Sequence, residues 1–215
     1  MIKNVMKKII VFGAAGRTGK YVVRYALEAG YEVTAFIRHS TLPFQHPKLF
    51  IITGDVLDEQ KISDAITGKD VVISTLGTKN IQGPEVNLMG DAMKLFLKAI
   101  KQHQVKRVLA VGGLAVLQFN DTMQLLDKPD YPAQYRNVGE GHNRVYRLME
   151  ASETDWTFIA CPDIIDHPRT GNYNTKKNYP ANGLFKINTG DVADFIIKEM
   201  AENQFVKTRV GICNY

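Results

Sequence analysis

The chain has 215 residues, 45% of them hydrophobic and 23% charged, and Lys plus Arg exceed Asp plus Glu by 27 − 22 = 5. A chain of this length buries roughly 70% of its unfolded surface, so it needs no disulfide or metal staple, and Cys161 and Cys213 form no framework spacing. The basic residues are scattered from Lys7 and Arg24 through Lys94, Lys98 and Arg107 to Lys207, which argues against nucleic acid and for a small anionic ligand.

No apolar run approaches the ~20 residues that span a bilayer. The basic opening, residues 1–8, leads into an apolar run that ends at Phe12 with no small-residue cleavage pattern after it. The expectation is a soluble, cytoplasmic monomer without nucleic-acid or membrane partners. With no linker or low-complexity stretch, one domain over 1–215 is the simplest division.

Short β-branched runs alternate with segments of helical period along the whole chain. Strands are predicted over 8–12, 31–37, 49–53, 71–76, 107–111, 157–161 and 208–213, most of them continuous apolar runs of the kind covered on both faces. Helices are predicted over 18–29, 58–67, 87–103, 136–151 and 191–200. The first stops at Gly30, a residue suited to the left-handed turn after a helix. The third carries Met89, Met93, Phe96, Leu97 and Ile100 at three- and four-residue steps. This alternation gives an α/β, Rossmann-type doubly wound, mainly parallel sheet with helices on both faces. Two stretches, 114–134 and 162–184, exceed ordinary connections and are expected to wall a substrate pocket.

Chemistry concentrates at the first strand-to-helix junction. Gly13-Ala-Ala15-Gly16-Arg17-Thr18-Gly19 leaves the strand and opens the helix. There glycines permit a tight turn and close approach of backbone N–H groups to a pyrophosphate, which the helix N-terminus favours electrostatically. At the end of the second strand, where a carboxylate would select NAD, stands Arg38. A guanidinium instead binds a 2′-phosphate, so NADPH/NADP+ is expected in preference to NADH, with Arg17 within possible reach of the same phosphate. Asp55 and Val56 follow the third strand, and Leu76, Gly77 and Thr78 the fourth; their place on the carboxyl edge assigns them to the cofactor. Pro162, after the sixth strand, completes the expected cofactor set. Gly113, Asp163 and Tyr173 are expected on the substrate side. The five histidines have no metal-ligand spacing, no metal is expected, and no G-x-S-x-G elbow occurs.

Together the segments IIVFGAAGRTG, GYEVTAFIRHS, TGDVLD, DVVISTLGTKN, VKRVLAVGG and PDIIDHPRTGNYN resemble the NADPH-dependent flavin reductase/biliverdin-IXβ reductase family. These are atypical short-chain dehydrogenases/reductases, beside the NmrA-like proteins. The resemblance covers 8–174. It implies a monomer binding NADPH through 13–19 at the pyrophosphate, Arg38 at the 2′-phosphate, Asp55 and Val56 at the adenine, and 76–78 toward the nicotinamide.

The chain departs from that pattern in two places. Gly112-Gly113 replaces a Thr-Ser pair after the fifth strand, and Asp163 stands where the family has a histidine; His142 matches the family's other pocket histidine. The Tyr-x-x-x-Lys pair of ketone-reducing relatives is also missing from the helix after the fifth strand, where Tyr146 has no Lys four residues on. Tyr173 and Lys177 have the spacing but fall in the late loop. A conjugated acceptor such as FMN, FAD or a linear tetrapyrrole needs no such pair, because positioning against the nicotinamide is its main requirement. Phe119, Tyr131, Tyr135, Tyr173 and Tyr179 are candidate platform residues, and His142 the candidate to donate a proton or orient the acceptor. The expected activity is hydride transfer from NADPH to a flavin-like or other conjugated small molecule. The rival is a non-catalytic NADP(H)-binding redox sensor of the NmrA type. A third reading, an epimerase or dehydratase holding NAD, is opposed by Arg38 and the missing catalytic tyrosine.

Overall fold

The computed structural model describes residues 7–39 and 41–215. The reading of the basic opening as lacking an export signal rests largely on residues 1–6, outside the described residues.

Seven of its strands are the seven apolar runs: β1 (Lys8–Phe12), β2 (Glu32–Ile37), β3 (Leu49–Thr53), β4 (Val71–Ser74), β5 (Arg107–Gly113), β6 (Asp155–Cys161) and β10 (Thr208–Asn214). The five helices are α1 (Gly19–Glu28), α2 (Glu59–Ile66), α3 (Asn87–Gln102), α4 (Ala133–Glu150) and α5 (Thr189–Glu202). Three further strands, β7 (Asp163–Ile165), β8 (Tyr173–Lys177) and β9 (Lys186–Asn188), were not expected. The main sheet runs β3-β2-β1-β4-β5-β6-β10-β8, parallel throughout except for β8, which pairs antiparallel with β10. β7 and β9 form a separate parallel ribbon.

Alternation within the strands explains the continuous apolar runs. On β1, Ile10 and Phe12 face a core shared with α2, α3 and α4, while Ile9 and Val11 face a core shared with α1 and α5. Both faces are covered, so neither set of positions can be polar. Phe12 stacks on Phe96 of α3 with ring centroids 3.9 Å apart, fixing the strand end from which the glycine loop departs. No helix among the described residues is long and apolar enough to cross a membrane.

The two long connections are organised rather than open. Segment 114–134 makes two short 3₁₀ turns, Leu114–Val116 and Leu125–Asp127, and buries Val116, Leu117 and Leu126. The Arg209 guanidinium on β10 donates to the Val116 carbonyl. Segment 162–184 contains β7 and β8 and is tied to the first connection by Gln118 N–H to Asn178 O, 2.9 Å, and by the Tyr179 hydroxyl to Asp121, 2.7 Å. β8 escapes a periodicity criterion because Tyr-Asn-Thr-Lys-Lys is a solvated edge strand with no apolar run.

Candidate active site

The sheet order turns scattered sequence positions into a row. Along the carboxyl edge stand, in turn, Asp55 and Val56 beyond β3, Arg38 at the end of β2, the glycine loop beyond β1, Leu76 to Thr78 beyond β4, Gly113 ending β5, and Pro162 beyond β6. Strands lie ~4.8 Å apart, so the row is about 24 Å long.

The glycine loop is built for close approach. Gly13 has φ +78°, and a Cβ on it would stand 2.9 Å from the Thr75 carbonyl oxygen. A Cβ on Gly19 would come within 2.1 Å of the Gly13 oxygen, which already accepts from Gly16 N–H at 2.9 Å. Thr75, which sequence reasoning missed, donates its hydroxyl to Phe12 O (3.0 Å) and lies 3.2 Å from Gly13 O, stapling the loop to β4. Its only sequence signal is a hydroxyl residue at the strand end beside β1. The N–H groups of Arg17, Thr18 and Gly19 have no acceptor among the described residues, and Thr18 provides no side-chain cap. Unsatisfied donors at a helix start are what an anion binds. These features fit a dinucleotide pyrophosphate.

Arg38 is exposed and has no hydrogen bond or ion pair among the described residues, as suits a cation that meets a ligand phosphate. Arg17 departs from expectation: its Nη1 donates to the Ile164 carbonyl on β7 at 3.1 Å, so the guanidinium reaches the late segment instead of lying free beside Arg38. Lys20 reinforces that link through Asp166 at 2.8 Å. One oxygen of Asp55 accepts from Leu57 N–H at 2.9 Å, and the exposed side chain has its other oxygen unengaged.

At the far end of the row, Gly113 N–H donates to His142 Nδ1 at 3.0 Å. An accepting Nδ1 puts the ring proton on Nε2, and burial pushes the imidazole down to about 4. His142 is therefore a neutral hydrogen-bond donor at pH 7, which suits the role of orienting an acceptor better than that of giving up a proton. The glycine pair has a steric reason as well. A Cβ on Gly113 would stand 2.8 Å from His142 Nδ1, and one on Gly112 would stand 2.2 Å from Cζ of the buried Phe158.

Tyr146, on the helix where a Tyr-Lys pair would act, is buried against Trp156 and Phe158 and donates its hydroxyl to Glu150. Burial and then this carboxylate push the phenol up to about 12, which removes it as a proton source. Tyr173 is not brought to the row. It lies on β8, two strands beyond β6, where its hydroxyl donates to Asp194 of α5 at 3.0 Å and its ring packs edge-on against Phe195. Burial and Asp194 raise its phenol strongly. Tyr173 pairs with Asn214 at the carboxyl end of β10, so it stands on the same sheet edge two strands beyond the row, with its hydroxyl committed to Asp194. Asp163 is exposed on β7 opposite Lys186. Of the other candidate aromatics, Tyr179 is engaged with Asp121 and Tyr131 is half-buried, while Phe119 and Tyr135 are exposed.

A cleft of about 750 Å³ between the carboxyl ends of α3 and α4, lined by Leu97, Lys101, Lys106, Leu148 and Asp155, opens at the opposite, amino edge of β5 and β6. It contains none of the row's residues. No cluster of His, Cys, Asp and Glu that would hold a metal occurs among the described residues.

A family model described as NAD(P)H-binding matches residues 13–203. An uncharacterized protein of Bacillus subtilis, YwnB, is 28% identical, the match covering 95% of this chain and 97% of that one. A protein of Arabidopsis thaliana named as a pinoresinol-lariciresinol reductase is 30% identical over 89% of this chain and 62% of its own length. The chain thus spans less than two thirds of that plant relative. Among solved structures, a candidate NADH-flavin reductase from Streptococcus pneumoniae superposes with a TM-score of 0.84 at 28% identity, covering 98% of this chain and all of the other.

Proposed function

The chain belongs to the NAD(P)H-binding family, as an atypical short-chain dehydrogenase/reductase, and from that premise we propose that it passes hydride from NADPH to a flavin-like or other conjugated acceptor. The observation that carries the choice of acceptor is the commitment of Tyr146 to Glu150. With no tyrosine acid to protonate an alkoxide, ketone and sugar reduction lack their proton source, whereas a conjugated ring delocalises the incoming electron pair and takes its proton from solvent. The name of the Streptococcus pneumoniae relative points the same way.

The dinucleotide, when bound, supplies the hydride. The N–H groups of Arg17, Thr18 and Gly19 would hold its pyrophosphate, Arg38 its 2′-phosphate, and Asp55 and Val56 its adenine. Leu76, Gly77, Thr78 and Pro162 lie on the side of the row where the nicotinamide would sit. His142, kept neutral by burial and held in the Nε2–H tautomer by the Gly113 N–H, presents Nε2–H as a donor to an acceptor oxygen or nitrogen. Its contribution is orientation and stabilisation of developing negative charge by a fixed donor.

Steady-state oxidation of NADPH with FMN, biliverdin and a redox dye in turn tests this reading. Turnover with at least one acceptor, faster with NADPH than with NADH, is expected. Tight NADPH binding with no turnover on any of them would favour a cofactor-sensing regulator instead.

A further inference from the structure

Among the described residues, most exposed large apolar side chains fall in two groups. Phe50 and Ile51 lie on the edge strand β3, with Leu57 shortly after it; Phe119, Tyr135, Ile165, Leu184 and Phe185 belong to the late connections and their borders. Phe185 is the most exposed, at 74%, although Ile187 two residues on is wholly buried. Its backbone is fixed on both sides. Leu184 N–H donates to Asn214 O at 2.8 Å, and Gly183, with φ +147°, lies so close beneath β10 that a Cβ would be 2.3 Å from that same oxygen. On the other side Lys186 pairs with Asp163.

The register locates Phe185. Cys161 is the partner of Gly113 across β5 and β6, Pro162 follows Cys161, and the parallel pairing of Asp163 with Lys186 sets Phe185 beside Pro162. The ribbon that carries it is tied to the glycine loop by Arg17 and Ile164 O. An exposed aromatic residue on a clamped backbone thus stands beside Pro162, at the β6 end of the row of cofactor residues. Exposed aromatic rings gain by stacking on flat π-systems. We infer that Phe185 is a positioning residue that stacks on a planar conjugated acceptor. The inference rests on the reductase reading and adds to it a residue that positions the flat acceptor.

The test uses the full-length protein with NADP+ or NADPH and FMN as probe. Phe185→Ala is expected to raise KM for FMN about tenfold, the scale of one stacked ring, with NADPH affinity unchanged. Phe185→Leu, apolar but not flat, should resemble the Ala variant, and Phe185→Trp should restore the wild-type KM. Because Trp156 is the only native tryptophan and is buried, Trp emission in Phe185→Trp with NADP+ bound also reports contact directly: saturable quenching by FMN, absent from the wild type, is expected. An unchanged KM in Phe185→Ala, a wild-type KM in Phe185→Leu, or quenching that never saturates would each overturn the proposal. If the wild type turns over no acceptor, the reductase reading fails on its own, and the quenching titration still decides whether Phe185 binds a flat ligand.

Discussion

Gly113 and His142, 29 positions apart in the chain, are joined by a hydrogen bond in which the Gly113 N–H donates to Nδ1 at 3.0 Å. The bond fixes the tautomer, and burial holds the imidazole at about 4. Between that value and the unfolded value near 6.5 the unfolded chain binds a proton that the native one excludes. His142 therefore costs stability progressively as pH falls from about 6.5 to about 4, and costs none above that window. The imidazole C–H signal assigned with His142→Gln should stay at its neutral position until about pH 4; a midpoint near 6.5 would contradict the half-buried, accepting geometry. Acceptor turnover should likewise show no His142 step near neutrality.

Gly113→Ala probes the same contact sterically. A Cβ 2.8 Å from Nδ1 forces the ring or the strand end to move, and misplacement on the ångström scale costs up to about a hundredfold in rate. Turnover should fall while NADPH affinity, measured by nicotinamide fluorescence, stays within about twofold of wild type, since the phosphate-binding residues lie on other strands. An equal loss of both would show that the substitution disturbs the whole edge.

Arg38 carries the cofactor choice. Arg38→Asp removes a cation with no partner among the described residues and places an anion against the 2′-phosphate, so NADPH affinity should drop by about ten- to a hundredfold while NADH affinity is retained or improves. Comparing both dissociation constants checks it, and unchanged NADPH binding would remove Arg38 from the site.

What the sequence makes legible, and what it does not, follows from the range of each interaction. The seven apolar strands and five amphipathic helices are local patterns. So is the glycine loop, because its turn, close approach and helix start lie within 13–19. The row of cofactor residues is legible once strand order is assumed, since each stands just after a strand. Long-range contacts leave no local trace. Nothing near Arg17 announces Ile164, nothing near Gly113 announces His142, and Tyr146 with Glu150 has a visible spacing but an invisible consequence. The strand that holds Tyr173 was not legible because the polar run 173–177 carries no apolar pattern. Its pairing with β10 turns the residue toward Asp194.

Asp191, wholly buried at the start of α5, gathers the late segment. It accepts from Thr170 N–H (2.7 Å), Gly171 N–H (2.9 Å), the Thr170 hydroxyl (2.9 Å) and the amides of Asn188 (3.0 Å) and Asn214 (2.7 Å). Burial works to raise its carboxyl, but these donors together hold it below its ordinary value. Its stabilising contribution is accordingly complete above about pH 4 and lost as the pH falls through the depressed folded value. Asp191→Ala strands five donors and should destabilise by about 3–5 kcal/mol, lowering Tm by roughly 10 °C. A Tm within about 2 °C of wild type would show that the segment is held by other contacts.

The buried pair Arg107–Glu199 poses the opposite case, because here both partners can be exchanged. Arg107 Nη2 donates to Glu199 Oε1 at 2.6 Å, and Glu199 also accepts from Phe205 N–H and Gln204 N–H. The Arg107 Nε has no partner among the described residues, and burial lowers the guanidinium's proton affinity against the pull of Glu199. Glu199→Ala leaves a guanidinium buried without its anion and should cost about 3–5 kcal/mol. Arg107→Met combined with Glu199→Gln removes both charges and keeps one side-chain oxygen, for Phe205 N–H, while the Gln204 N–H loses its acceptor; it should recover part of that loss. Urea unfolding of the two single variants and the double variant measures it. A double variant no more stable than Glu199→Ala would mean that the ion pair itself, rather than relief of an unpaired buried charge, sustains this corner of the sheet.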